Sequence, residues 1–224
     1  DAVVVARSGL IYLSDASMRF GPREAGSTYE AAVLDIIEQR CTGRILVHDP
    51  AAKSTKTMLS GLCFGNGLAL SADEQHLFVA ETGNYRVWKV SIGATNLDVR
   101  KPSPQAKLLF DNLPGYPDNL MRGEKGRIWL AFSGPRSPKV DEMAGKPWLR
   151  RLTLRLPRAL WPLPKPYGHV MAFDESGRVL VDLQDPGGTY PQTTGVTETA
   201  DRLYIQNLHN TALGWLPKAR VGLD

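Results

Sequence analysis

Short apolar runs broken by polar turns recur along the chain, and the runs are too short and too evenly spaced to be helices. The stretch "GNGLALSADEQHLFVAET" has one run at 68–70 and a second at 77–80, with an acidic turn between them. The plan repeats in "DAVVVARSGLIYLSDAS", "GYPDNLMRGEKGRIWLAFS" and "TTGVTETADRLYIQNLH". Each copy is followed by a further run: "GRILVHDP", "YRVWKVS", "GHVMAFDESG" and "ALGWLPK". A closing run, "KTMLSGL", "AKLLFDNL" or "RVLVDLQD", completes the first three copies and is absent from the fourth. Units of roughly 40 to 50 residues with four short strands each are the signature of β-propeller blades.

The pattern therefore predicts an all-β propeller over residues 1–224, one domain with about four blades and strands A to D counted outward from the ring axis. The chain starts at Asp1 rather than Met, and its last blade lacks strand D. A closed ring would complete that blade with a strand from the other end of the chain, because open edges invite pairing. The reading is the C-terminal two-thirds of a larger ring, with the N-terminal part missing.

Two stretches break the strand pattern, at about 15–42 and 133–167, and both fall in B-to-C connections. They read as helical lids. In "STYEAAVLDIIEQR", Val33, Ile36 and Ile37 fall on one helical side and Glu30, Asp35 and Glu38 elsewhere. In "KPWLRRLTLRLPRALWPLPKP", Trp148, Leu149, Leu152 and Leu156 form a stripe among Arg150, Arg151, Arg155 and Arg158, and Pro157 ends or kinks the helix. Residues 146–161 suit either a membrane-surface contact or a lid packed on the propeller with its arginines in water. Trp161 and the prolines also suit the wall of a substrate channel.

In a four-stranded blade, D-to-A and B-to-C connections share one face, so both lids and the polar interruptions of the inner strands gather there. Asn66, Asp118 and Asn119 fall in D-to-A loops, at the axis end of strand A in neighbouring blades. Three hard oxygen donors without sulfur or imidazole suit calcium better than zinc. His169, at the start of a C strand, and His209, after a B strand, are placed at the same mouth and are the candidate general bases. Glu81 and Asp15 share that face as loop-bonded carboxylates, while His48 and His76 fall on the far one.

Composition narrows the classes. The chain is 42% hydrophobic and 22% charged with a net charge of +4, without a basic stripe interleaved with aromatics, which argues against nucleic-acid binding. No apolar run approaches the ~18 residues of a membrane span. Cys41 and Cys63 form either one bridge or two buried thiols. Phosphate-binding glycine loops, a G-x-S-x-G elbow, a CxxC pair and an HExxH helix are all absent from the sequence.

The ordered motifs "GRILVHDP", "GNGLALSADEQHLFVAET", "LPGYPDNLMR", "GHVMAFDESGRVLVDLQDP" and "GVTETADRLYIQNL" resemble the strictosidine synthase-like family along essentially the whole chain. That family is related to the calcium-dependent phosphotriesterase, paraoxonase/arylesterase and gluconolactonase-type propellers. The resemblance implies a six-bladed ring. It also implies a central calcium held by Asn66 of the "NG" motif and by Asp118 and Asn119 of "PDN", with further ligands upstream of Asp1. The activity implied is hydrolysis of a small-molecule ester or lactone, and the location implied is secretory, periplasmic or membrane-attached. True strictosidine synthases use a Glu just ahead of the last inner strand, where this chain has Thr194, which argues against amine–aldehyde condensation. A metal-braced propeller that binds without turnover is the remaining alternative.

Overall fold

The computed structural model describes residues 2–223; Asp1, with which the first repeat begins, lies outside the described residues. The first sheet contains β1 (Val3–Val5), β2 (Ile11–Asp15), β3 (Gly43–Asp49) and β4 (Ser54–Leu62) in that order. The second runs β5 (Gly65–Leu70), β6 (His76–Glu81), β7 (Arg86–Ser91) and then β9 (Ala106–Phe110). Between its last two strands, β8 (Leu97–Asp98) crosses over to pair in parallel with β4. The third sheet contains β10 (Gly115–Arg122), β11 (Ile128–Pro135), β12 (Gly168–Phe173) and β13 (Val179–Asp185). The fourth has β14 (Thr193–Glu198), β15 (Arg202–Asn207) and β16 (Gly214–Pro217). Within each blade the neighbours are antiparallel, as the repeats predict.

Alternation along the strands builds a core between each pair of neighbouring sheets. On β6, Leu77 and Val79 pack with Tyr12, Ile45 and Leu59 of the first sheet, while Phe78 and Ala80 turn the other way to Leu120, Ile128 and Phe132 of the third. On β11, Ile128 and Leu130 join that second core, and Trp129 and Ala131 join Val196 and Leu203 of the fourth sheet in a third. Sheets covered on both faces read as near-continuous apolar runs, and β5 and β12 are buried at every position.

The first lid is α1 (Pro22–Ala25) followed by α2 (Thr28–Glu38), whose start is fixed by the Ser27 hydroxyl accepting the Glu30 backbone N–H at 3.1 Å. The second is α3 (Pro138–Glu142) and α4 (Pro147–Thr153), continued by a 3₁₀ turn at Arg158–Leu160. The helix thus stops well before Pro157. Cys41 and Cys63 are joined in a disulfide that ties the end of the first lid to the bend between β4 and β5.

On the far face a buried ionic cluster pins the fourth sheet to the third. The Glu198 carboxylate, at the end of β14, accepts from Arg127 Nε at 3.0 Å, Trp129 Nε1 at 2.8 Å and the Glu124 backbone N–H at 3.0 Å. Lys218, after β16, completes it, with Nζ 3.0 Å from Glu198 and 2.6 Å from Glu124. Burial alone would raise the Glu198 pKa, but the bonds from Arg127, Trp129 and Lys218 outweigh it and hold the group at about 2. A depressed carboxylate stabilises the fold above its ordinary value of 4.5 and loses that contribution as pH falls towards 2. The thermal unfolding midpoint is therefore expected to drop across this acid window. Glu198→Gln should flatten the drop and cost on the order of 3 kcal/mol at neutral pH, read by calorimetry.

Candidate metal and ligand site

The inner strands are not regular where the polar residues sit. In β5 the pairing with β6 slips between Gly65 and Leu68, which puts Asn66 and Gly67 in a bulge. In β10 it slips between Pro117 and Leu120, around Asp118 and Asn119. In β14 it slips between Thr193 and Gly195, at Thr194. A bulge frees one residue from the ladder and re-aims its side chain. All three lie at the same level of adjacent blades, and Asn66, Asp118, Asn119 and Thr194 line one cavity. The sequence places the donors in loops ahead of strand A; they lie inside the strand, as its irregular turn.

Gly67 permits the approach of the neighbouring blade. A Cβ there would fall 2.3 Å from Leu120 N and 2.4 Å from Asp118 O, so the β10 backbone runs directly against it. Asn66 Nδ2 then donates to Asp118 Oδ1 at 3.1 Å across the two blades. It also reaches Thr82 Oγ1 at 3.3 Å. Thr82 gives its one proton to Pro117 O at 2.6 Å, so it accepts from Asn66 and fixes which end of the amide faces which way. Asp118 is 9% exposed. Burial raises its pKa to about 7, only partly opposed by hydrogen bonds from Asn66 and the Asn119 backbone.

The cavity is about 260 Å³. The inner strands make its floor, and Val33, Ile36 and Ile37 of α2 wall it on one side, as their helical spacing predicts. Val140 and the Pro162–Leu163–Pro164 segment close the other side, and Leu208 comes from the connection after β15. Ser133, Gln192 and Thr194 add neutral polar groups and Tyr116 a phenol. Asp118 is the one carboxylate among the described lining residues.

The two histidines are separated from this set. His169 lies on β12, the third strand out from the axis, stacked on Phe132 with ring centroids 4.3 Å apart. Its Nε2 is 2.9 Å from Asp182 Oδ1, and burial lowers its pKa against the pull of that carboxylate. It does not line the cavity. His209 is exposed at the rim, edge-on to Tyr29 at 5.3 Å, and Tyr29 does line it. Glu81 is fully buried and accepts from Cys63 N, Asn84 Nδ2 and Trp88 Nε1, and Asp15 pairs with Arg44.

The lids differ from expectation in which face they bury. Asp35 is buried, with its carboxyl raised to about 6 by burial against an opposing Ser17 hydrogen bond. In α4 the covered residues are Arg150 and Thr153, and the apolar stripe is outside: Trp148 is 61% exposed and Leu152 49%. Arg150 is 4% exposed. Its guanidinium donates to Ile36 O and Ile37 O of α2, at 3.2 and 3.0 Å, and to Met143 O at 3.0 Å. Burial lowers its pKa. One arginine therefore satisfies the last carbonyls of one lid from inside the other.

The donors present fit a hard cation. Asn66, Asp118 and Asn119 bring side-chain oxygens together around a buried carboxylate whose hydrogen bonds come from amides and not from a cation. Among the described residues there is no cluster of three or more His, Cys, Asp or Glu.

This is the construction of a propeller with a mixed amide–carboxylate site at the axis and helical lids above it. The strictosidine synthase family model matches residues 1–95. The Arabidopsis thaliana protein strictosidine synthase-like 13 is 33% identical over 189 residues, 82% of this chain and 43% of that protein. The chain is a strictosidine synthase-like propeller. It spans about half the length of the curated relatives it matches. Among solved structures, a gluconolactonase from Xanthomonas campestris superposes with a TM-score of 0.57 at 19% identity, over 95% of this chain and 54% of that one. The calcium-binding protein regucalcin from Agrobacterium tumefaciens gives 0.56 at 15%, over 94% and 54%. At these identities the likeness is one of fold.

Removing the Arg150 clamp is expected to loosen the lids without unfolding the blades. Arg150→Ala leaves buried carbonyls unpaired, at a cost on the order of 2–3 kcal/mol. Limited chymotryptic digestion should cut within 143–163 sooner than in the unmodified protein, while the strand content seen by circular dichroism stays unchanged.

Proposed function

We propose that the chain carries part of the active site of a calcium-dependent hydrolase of small esters or lactones. The observation that carries this reading is the Asp118 carboxylate, buried at the floor of an apolar lidded cavity with only amide partners. The gluconolactonase and the calcium-binding regucalcin among its structural neighbours support the class of chemistry and the ion. Asn66, Asp118 and Asn119 would hold the ion, as part of the six to eight oxygens calcium takes. When bound, calcium supplies Lewis-acid polarisation of a carbonyl.

The chain's own groups do the rest. Thr82 holds the Asn66 amide in one orientation through its bond to Pro117 O. Ser133, Gln192 and Thr194 offer neutral hydrogen bonds that orient an ester or lactone, and the α2 face with Pro162–Pro164 receives its apolar part and limits water. His209 at the rim remains the candidate for proton removal from an attacking water; His169 is a packing residue. Thr194 in the cavity wall puts a hydroxyl, not a carboxylate, where a condensing enzyme of this family would need its base. A binding propeller without turnover is favoured by one observation, that neither histidine lines the cavity.

The test is a panel of aryl esters and lactones assayed with calcium and with chelator, beside calorimetric calcium titration. Asp118→Ala and Asn66→Ala are expected to abolish calcium binding and lower kcat/KM by roughly 10²–10³-fold. Chelator should do the same, reversibly. Calcium binding without turnover of any substrate leaves the binding propeller; turnover indifferent to chelator and to both substitutions refutes the metal hydrolase.

A further inference from the structure

Large apolar side chains on a water-facing surface usually occur singly. Here eight of the fourteen exposed among the described residues collect in the connections of one face. Trp148, Leu152, Leu156, Leu160 and Leu163 are all exposed, all within the second lid. Met18 of the first lid, and Leu208 and Leu213 of the connection between β15 and β16, are exposed as well. All three connections are B-to-C, so they share one face; each also contributes to the cavity, and Leu163 and Leu208 belong both to the exposed set and to its lining.

Charge follows the same segment. From Met143 to Phe173 there is no Asp or Glu and there are six Lys or Arg. Arg150 is buried in the clamp and Arg158 pairs with Glu30 at 2.8 Å. Lys146, Arg151, Arg155 and Lys165 are exposed, and no ion pair is formed by any of them among the described residues. Trp148 and Leu152 stand one helical turn apart with Arg151 beside them, an aromatic and aliphatic surface edged by cations.

We infer that the second lid docks this face on an anionic membrane surface, with the cavity mouth turned to the lipid. The lid buries its arginine on the protein and presents its tryptophan outward, an arrangement that suits a headgroup boundary: apolar groups enter the acyl edge, and cations meet lipid phosphates and carboxylates. A protein partner would not require a segment free of acids over thirty residues, whereas an anionic lipid surface favours one. No helix among the described residues is long and apolar enough to cross a membrane, so the contact is an interfacial one. Leu163 belongs to both the exposed patch and the cavity lining, so the patch reaches the edge of the cavity. The inference is independent of the hydrolase reading.

The experiment is vesicle sedimentation of the protein, with phosphatidylcholine alone and with added phosphatidylserine, at low and high salt. Stronger binding to the anionic vesicles, weakened by salt, is expected. Arg151→Gln with Arg155→Gln should weaken it roughly five-fold per charge. Trp148→Ala with Leu152→Ala should weaken binding to both vesicles roughly ten-fold or more. All four side chains are exposed, and Leu160→Ser, outside α4, provides a second apolar variant if the first pair proves unstable. Absence of binding to both vesicles, or binding unchanged in every variant, overturns the inference. So does a concentration-dependent dimer in lipid-free solution that the Trp148→Ala and Leu152→Ala pair abolishes, since a second copy would then cover the patch.

Discussion

Two backbones meeting where no side chain fits set the geometry of everything above them. Gly67 lets β10 lie against β5 at the axis, and that contact brings Asn66 of one blade to Asp118 of the next. The bulges in β5, β10 and β14 then turn polar side chains out of the ladder at a common level. Strands paired regularly at these positions would direct the same residues into the interblade cores, where an unpaired carboxylate is costly. The site follows from three local failures of strand pairing, held in place by the cores between the sheets.

Most of the blade plan was legible because each strand is a short apolar run between polar turns, and its alternate residues go to two different cores. The four repeats, the short fourth sheet and the face on which the lids gather follow from the spacing of those runs, and the α2 wall follows from its own helical spacing. The polar interruptions at Asn66, Asp118 and Asn119 could be seen as unfavourable in a strand, but a bulge and a loop look the same in one sequence. The signal for Thr194 was weaker still, since a threonine suits a strand well.

What the sequence hid is a matter of direction. A helix with an apolar stripe and an arginine stripe has two faces, and its pattern does not say which one meets the protein. In α4 the ordinary expectation is inverted because Arg150 has four backbone carbonyls within reach, on α2, α3 and the residues just after it. For His169 the matter is position across the blade: a C strand lies too far from the axis for its side chain to reach the cavity, even when its end belongs to the right face. Asp35 was placed off the apolar side of α2 correctly, but the neighbouring chain around Ser17 covers that side too.

The Arg150 clamp also bears on how such a protein can change over evolutionary time. The two insertions enter the chain more than a hundred residues apart, yet the cation of one occupies the helix end of the other. Exchanging either lid alone for that of a relative would strand a buried guanidinium or leave its carbonyl acceptors bare. The lids are therefore a linked pair of characters: a new mouth over the same blades has to arise through matched changes in both.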